Sequence, residues 1–266
     1  MITIKTSEEI EIMVEGGKIL AKIMKELAKK VEPGITTKEL DKVAEGLVLK
    51  SGAKCSFKGY QNFPACLCTS INEEIVHAAP SARRLKEGDI ISLDLGLQWK
   101  GFHTDMAITL PVTRPGRVEK IDPEVSRLIR VTKKALKRGL KKVRPGNTFG
   151  DIGNTIQRYV ESQGFNVVRD LCGHGIGREI HEDPEILNYG KRHTGPEIKE
   201  GMVFCVEPMV TPGNGKIKKL APYQNEVSGA ESKNGHGWQT ADGFLSAHFE
   251  HTIAVTKNGV KILTMI

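Results

Sequence analysis

Two aspartates on one predicted β-hairpin are the residues best placed to do chemistry. Around Asp94 apolar residues alternate with polar or small ones, which is the period of a strand. The return strand carries Asp105, and pairing Gln98 with His103 sets Asp105 opposite Gly96. Asp94 is then its diagonal neighbour on the same face, about 7–8 Å away along the backbone. We expect Gly96 to leave open space between the two acids.

A second pair of acids occupies matching places later in the chain. The run from Glu200 to Glu207 resembles the run from Glu87 to Asp94, with a glycine turn, an apolar stretch and a final carboxylate. Glu250 stands three residues before an isoleucine, as Asp105 does. Four carboxylates on one buried surface repel each other unless they are protonated or bound to cations. The matched set therefore predicts a site for divalent metal ions.

Histidines follow in a glycine-rich segment between residues 172 and 184. His174 and His181 lie there, and the glycines between them argue against a helical zinc motif. Imidazole is a plausible addition to a carboxylate site that holds a first-row transition metal. We expect one histidine to supply a ligand and the other to act on substrate. His77 is a weaker candidate on spacing alone.

An internal repeat supplies the elements that would position these residues. Val31–Thr36 reappears as Val143–Thr148 at an offset of 112 residues. An amphipathic helical pattern precedes each copy, and Pro-Gly then interrupts it. Thr36 and Thr148 can cap the following helix, because a threonine oxygen can accept a hydrogen bond from a free N–H of the first turn. Each half is thus predicted as helix, turn, helix and strands, facing its counterpart across a pseudo-twofold axis.

Composition limits the class of protein. The chain has 266 residues, a net charge of +7 and 39% hydrophobic residues, enough for a core. It has no apolar stretch of about 20 residues that could span a membrane and no leader-like N-terminus, so a cytoplasmic location is expected. The five cysteines have irregular spacing and are expected to be free thiols: Cys55, Cys66, Cys68, Cys172 and Cys205.

Other chemistries have weaker support in the sequence. The glycine-rich segment lacks the Lys-Ser/Thr of a P-loop, and no GxSxG motif occurs. Cys68 could act as a nucleophile with a histidine, although nothing local would activate it. The positive charge would suit an RNA or ribosome surface, but aromatic residues do not alternate with basic ones as an RNA-stacking sheet requires.

The chain resembles the type I methionine aminopeptidases, in the compact form without an N-terminal zinc-binding extension. The resemblance covers essentially the whole chain. The segments that carry it are Cys68–Glu73 ending at His77, Asp94 with Gly101–Asp105, Cys172–Gly177 with His181–Glu182, Phe204–Met209, and Ser246–Thr252.

This resemblance implies an α/β (α+β) pita-bread fold, in which two related halves surround a central antiparallel sheet that holds a dinuclear metal site. It implies one catalytic domain over residues 1–266, with pseudo-repeats at about 8–112 and 120–256. It also implies two divalent ions, of Co, Mn, Fe or Zn, held by Asp94, Asp105, His174, Glu207 and Glu250. Asp105 and Glu250 would bridge the ions.

Further roles are implied in the same way. His77, His181 and Glu207 would be catalytic, with the two histidines also touching substrate. A methionine pocket would be lined by Tyr60, Phe63, Cys68 and Trp238. Asn72 and Ser246 match a peripheral monovalent-cation site.

Two departures affect these assignments. Ile180 stands where the family usually has an aromatic residue, so the pocket shape is expected to differ. The segment Thr211–Gln239 is longer than in compact bacterial members, which makes Trp238 the least secure pocket residue.

The expected activity is hydrolytic removal of the N-terminal methionine from nascent proteins and peptides with a small second residue, by a hydroxide that two metals activate. The enzyme is expected to be a monomer with no membrane partner, and docking at the ribosome surface is a family-level expectation. Three alternatives stay open: a proline-specific aminopeptidase, a non-enzymatic RNA- or ribosome-binding module, and a cysteine hydrolase that uses Cys68.

Overall fold

The computed structural model describes residues 1–114, 121–221 and 236–265. Its four α-helices are α1 (Ser7–Ala28), α2 (Thr37–Lys50), α3 (Pro123–Leu140) and α4 (Phe149–Ser162). Its strands are β1 (Lys54–Cys55), β2 (Leu67–Ile71), β3 (Glu74–Val76), β4 (Ile90–Trp99), β5 (Phe102–Pro111), β6 (Asn166–Val167), β7 (Gly173–Gly175), β8 (Glu182–Ile186), β9 (Val203–Val206), β10 (Met209–Thr211), β11 (Ile217–Lys219), β12 (Trp238–Thr240), β13 (Ala247–His248), β14 (His251–Thr256) and β15 (Gly259–Ile262). All strand pairs in these ranges are antiparallel.

The two helical pairs repeat each other as the sequence predicts. In each half the Pro-Gly turn separates the helices, and its glycine has positive φ, at 99° for Gly34 and 85° for Gly146. Each glycine N–H donates to a carbonyl in the loop that precedes a strand of the same half. Gly34 donates to Leu85 at 2.8 Å, and Gly146 donates to Ile198 at 3.3 Å. The internal repeat is therefore present in the structure as well as in the sequence.

The helix caps are alike in the two halves. The Thr36 side chain accepts from the Glu39 N–H at 3.1 Å, and the Glu39 carboxylate accepts from the Thr36 N–H at 2.8 Å. At the start of α4, the Asp151 carboxylate accepts from both the N–H and the hydroxyl of Thr148. Thr148 and Asp151 thus form the same reciprocal capping box as Thr36 and Glu39, as predicted.

The β4–β5 hairpin has the register that the sequence predicts. Gly96 lies opposite Asp105, and Gln98 lies opposite His103. The turn consists of Lys100 and Gly101, both with positive φ, which matches the twist of a two-residue hairpin. Helices α1 and α2 pack behind this sheet, while β9 and β14 form the corresponding sheet of the second half.

The structure explains the absence of a side chain at Gly96 differently from the sequence analysis. A Cβ atom there would lie 2.9 Å from both Ser56 and the Phe57 ring. The absent side chain therefore makes room for the loop after β1, and not for a gap between the two aspartates. The expectation about Gly96 is wrong in this respect.

The two halves meet at a seam between β5 and the β13–β14 segment. The Thr252 hydroxyl accepts from the Asp105 N–H at 2.8 Å and donates to the Asp105 carbonyl at 2.7 Å. The Thr109 hydroxyl makes the same pair of bonds to the backbone of His248, both at 2.8 Å. Each half thus uses one threonine to fix a site-bearing strand of the other half.

The cysteine prediction is wrong for two residues. Cys55 and Cys66 form a disulfide, while Cys68, Cys172 and Cys205 are free. The loop between them folds back so that β1 and β2 pair with successive stretches of the same edge of β4, with Cys55 opposite Leu97 and Leu67 opposite Leu95, which the linear spacing does not indicate. The bond closes the base of a loop that carries Phe57, Tyr60 and Phe63.

No helix in the described ranges is long and apolar enough to cross a membrane. Of the long segment Thr211–Gln239, residues 222–235 lie outside the described part, as do residues 115–120 near the start of the second predicted repeat.

The Cys55–Cys66 disulfide predicts how many thiols react in the denatured protein and how much stability is lost without the bond. Without reductant, denatured protein should show three reactive thiols per chain, and after reduction five. Because a cross-link over 11 residues restricts the unfolded chain, Cys55→Ser/Cys66→Ser should lower the free energy of unfolding by about 2–3 kcal/mol in urea titrations. Cys172→Ser, a partly exposed free thiol, is the control and should change it by less than about 0.5 kcal/mol. Five reactive thiols before reduction would contradict the disulfide.

Candidate metal centre

One cavity of about 670 Å³ collects nearly all the predicted site residues. The side chains that line it include every predicted metal ligand, both predicted substrate-contacting histidines and the four predicted pocket residues: Asp94, Asp105, His174, Glu207, Glu250, His77, His181, Tyr60, Phe63, Cys68 and Trp238. A cavity of this size suits a small ligand or the end of a peptide.

Four strands bring the carboxylates together. Asp94 lies on β4 and Asp105 on β5, Glu207 directly follows β9, and Glu250 stands between β13 and β14. All four are at least nine-tenths buried. The two halves therefore each contribute two acids to one enclosed surface.

Several carboxylate oxygens of the site are buried without a hydrogen-bond partner and could therefore bind a cation. One oxygen each of Asp94, Asp105 and Glu250 is fully buried with no hydrogen-bond partner. Glu250 belongs to three groups whose potential ligand atoms all lie within 4.8 Å of one another: with Asp94 and Asp105, with Glu207 and His248, and with His174 and Cys205. Unsatisfied buried carboxylate oxygens at this spacing fit divalent cations, which accept carboxylate and imidazole ligands.

Mutual repulsion and burial change the protonation of these acids. Loss of hydration raises the pKa of Asp105 to about 7. Burial, together with the neighbouring carboxylates, raises the pKa values of Asp94, Glu207 and Glu250 well above their usual range. The metal-free site thus holds protons that a cation would displace.

His174 presents one nitrogen to the acids. Its Nδ1 lies 2.9 Å from the Gly175 carbonyl, a contact that requires Nδ1 to carry the proton. Nε2 then has a free lone pair and lies 3.6 Å from Glu207 Oε1. Burial lowers the pKa of His174 to about 3, so the imidazole is neutral, which is the form that binds metals.

His181 stands beside this group at the wall of the cavity. Its ring centroid is 4.3 Å from that of His174, and its Nδ1 lies 2.9 Å from the Tyr60 hydroxyl. If the hydroxyl donates this bond, the ring proton lies on Nε2. His181 can then donate a hydrogen bond from Nε2 into the cavity.

His77 reaches the cavity through an unusual backbone conformation. It follows β3 with φ of 59°, a left-handed value that is uncommon for residues other than glycine. Strained conformations of this kind are concentrated at functional sites. Spacing alone made His77 a weak candidate, and the structure adds its position at the cavity wall.

The aromatic wall of the cavity comes from the disulfide-closed loop. Left-handed Gln61 and Asn62 turn this loop sharply, and the rings of Phe57 and Phe63 meet edge to face at 6.4 Å. Trp238 on β12 pairs with Val76 on β3 and also lines the cavity. The residue that sequence reasoning left least secure is therefore at the predicted wall.

Sequence reasoning missed four residues at or beside this cavity. Phe57, Met209 and His236 line it, and His248 lies beside Glu207. His248 stands two residues before Glu250 in a segment already singled out, so proximity to that acid was the available signal. Met209 begins β10 at the end of the segment Phe204–Met209, whereas Phe57 and His236 lie in loops, whose conformation no spacing reveals.

Cys68 is a poor nucleophile in this setting. Burial and the adjacent acids raise the pKa of its thiol well above the usual range, which keeps the sulfur protonated. Nucleophilic cysteines need the opposite shift. The geometry thus disfavours a cysteine hydrolase.

Asn72 and Ser246 lie side by side, with the Ser246 N–H donating to the Asn72 carbonyl at 2.8 Å. The Asn72 side chain bonds to Asp89 and to the Ile90 N–H. Their role as a monovalent-cation site stays a prediction.

Two related halves that enclose buried acids, a neutral histidine and a peptide-sized cavity define a metal-dependent hydrolase. The chain belongs to metallopeptidase family M24, whose model matches residues 11–257. The fold is accordingly the pita-bread fold of that family.

Individual relatives agree with this family assignment. Methionine aminopeptidase from Clostridium perfringens is 45% identical over the full length of both chains. The structure of methionine aminopeptidase from Thermotoga maritima has a TM-score of 0.91 at 40% identity, covering all of both chains. An Xaa-Pro dipeptidase from Bacillus anthracis, at 22% identity and a TM-score of 0.73, shares the fold; the match covers 99% of this chain but 62% of that one.

The protonated carboxyls predict that metal binding releases protons. Between pH 6 and 7 a cation must displace the Asp105 proton, whereas His174 has none to lose, so affinity should rise with pH. The apparent Kd for Mn²⁺ should tighten about tenfold per pH unit for each proton displaced. Calorimetry of chelator-treated protein in buffers of different ionisation enthalpy measures this release. Asp105→Asn should release fewer protons, and a pH-independent Kd would contradict the prediction.

Proposed function

We propose that this chain is a methionine aminopeptidase, which hydrolyses the first peptide bond of proteins and peptides that begin with methionine and have a small second residue. The observation that carries the proposal is the joining of a buried four-carboxylate and histidine cluster to an aromatic-walled cavity. The full-length relatives named for this activity support it.

In the proposed site, two divalent ions are held by Asp94, Asp105, His174, Glu207 and Glu250. The shared position of Glu250 in three ligand groups supports a bridging role for that residue. Asp105 is the second proposed bridge. Oxygen ligands with imidazole suit Mn, Fe, Co or Zn.

When bound, divalent ions polarise a carbonyl and lower the pKa of water so that hydroxide is available near neutral pH. Glu207 borders the same cavity, and its carboxylate is proposed to take the proton of the attacking water and return it to the departing amine.

His181 is proposed to stabilise the negative charge that develops on the substrate carbonyl oxygen. Tyr60 holds its Nδ1, which fixes the ring and directs Nε2 toward the cavity. A donor oriented in advance does not have to reorganise as the charge forms. His77 is proposed to contact the substrate amide and to orient it.

The methionine side chain is proposed to lie between Tyr60 and Phe63 with Cys68 beside them. A thioether gains about 0.3–1.5 kcal/mol from each sulfur–aromatic contact, beyond the benefit of burial. Ile180, which stands where an aromatic residue is usual, is buried in the same apolar cluster as Phe63 and Cys68 but is not among the residues that line the cavity.

The natural substrates are proposed to be the N-termini of nascent polypeptides in the cytoplasm. We also propose that residues 1–266 act as one catalytic domain, because residues of both halves share one hydrophobic core and one site.

Peptide cleavage tests this function directly. Chelator-treated protein should release no residue from Met-Ala-Ser, and addition of Mn²⁺, Fe²⁺, Co²⁺ or Zn²⁺ should restore release of methionine. Pro-Ala-Ser should remain intact, because the pocket matches a thioether and not a ring. Liquid chromatography of the products measures both. Cleavage of neither peptide by folded, metal-loaded protein would overturn the proposal.

Substitutions of His181 and Asp105 distinguish a loss of catalysis from a loss of metal binding. His181→Ala should lower kcat by about 100-fold or more, as loss of an oxyanion donor does, with metal content unchanged. Asp105→Ala should instead lose metal, which elemental analysis detects. Loss of metal in His181→Ala would mean that His181 is a ligand or a structural residue.

A further inference from the structure

His248 is a buried imidazole that the proposed ligand set leaves without a role. Its side chain is 1% exposed, and neither ring nitrogen has a hydrogen-bond partner. A buried polar group without a partner costs about 1–3 kcal/mol. A side chain held at that cost, inside a cluster of acids, points to a partner that is not part of the polypeptide.

The position of His248 is fixed by its backbone. The Thr109 hydroxyl from β5 accepts from its N–H and donates to its carbonyl, both at 2.8 Å. On its other side β13 pairs with β10, where His248 lies opposite Met209. Two elements therefore fix the backbone of His248, and its buried ring lies beside Glu207 and Glu250.

The distances around Glu207 are nearly symmetrical. His248 Nε2 lies 3.4 Å from Glu207 Oε2, and His174 Nε2 lies 3.6 Å from Glu207 Oε1. His248 Nε2 is also 4.0 Å from Glu250 Oε2. Two donor atoms that are each about 2.0–2.2 Å from one shared ion are separated by roughly 3.0–3.5 Å, so the spacing to Glu207 matches that of co-ligands.

We propose that His248 is a sixth protein ligand of the metal centre, binding through Nε2 the ion that Glu207 and Glu250 also hold. The inference rests on the proposed function, because it requires the metal centre to exist. It divides the centre into a carboxylate side, with Asp94 and Asp105, and an imidazole-rich side.

The added imidazole changes which metals the centre prefers. Nitrogen donors suit Zn²⁺ and Co²⁺, whereas carboxylates alone suit Mn²⁺ better. His248 should therefore raise the preference for Zn²⁺ and Co²⁺ over Mn²⁺. Substituting it should alter metal selection more than total metal-binding capacity.

The test counts coordinated imidazoles in the Co²⁺-loaded protein. Proton NMR resolves the strongly shifted, solvent-exchangeable N–H signal of each histidine bound to paramagnetic Co²⁺. Wild type should show two such signals, and His248→Gln one. Calorimetry should show the Zn²⁺-to-Mn²⁺ affinity ratio of His248→Gln falling by at least about tenfold, as expected from loss of a nitrogen ligand.

His251→Gln is the matched control, since His251 is close in the chain but its Nδ1 bonds to Thr264 at 3.0 Å. That variant should keep both signals and the wild-type metal ratio. The wild-type count is informative even if His248→Gln does not fold, and His248→Leu provides a second variant.

One signal in wild type, unchanged on substitution of His248, would overturn this inference and leave the proposed centre intact. Failure of folded wild-type protein to bind Co²⁺, Zn²⁺ or Mn²⁺ would overturn the proposed function and the inference with it. Two signals that both persist in His248→Gln would assign the second to another residue and reject the inference.

Discussion

The structure depends on the burial of four carboxylates in one enclosed surface. Loss of hydration raises the pKa of each, and the neighbouring carboxylates raise the pKa values of Asp94, Glu207 and Glu250 further. Such a cluster is unfavourable alone and becomes favourable when cations take the place of protons. Every strand that borders the cavity contributes to this balance, because the acids must be held close before any cation can join them.

The aromatic wall of the cavity packs directly against the β4–β5 hairpin that carries Asp94 and Asp105. Phe57 and Ser56 lie against Gly96, directly opposite Asp105 on the hairpin. The disulfide closes the loop that presents Phe57, Tyr60 and Phe63. The residues proposed to recognise a side chain are therefore set by the same strands that set the acids, and Tyr60 extends this link to His181.

The sequence was informative where local rules govern. The register of β4 and β5 could be predicted because strand period and turn length together leave one pairing that places Asp94 and Asp105 on one face. The internal repeat then extended the prediction to Glu207 and Glu250. The roles of the site residues remain predictions, although the structure brings them to one cavity.

Errors arose where distant segments meet. The need for Gly96 comes from a ring 39 positions away, and the cysteine pair depends on a loop that returns to the same edge of β4. His248 was overlooked since its significance lies in an approach to Glu207 across the sheet.

The threonine bonds at the seam also bear on ancestry. Thr109 and Thr252 each fasten the backbone of the opposite half, and each half holds only two of the four acids. A half-length ancestor could have assembled this centre by pairing with a second copy of itself through a twofold interface. Fusion of the copies would then have freed the two versions to diverge, so that one came to carry aspartates and the other glutamates and histidines.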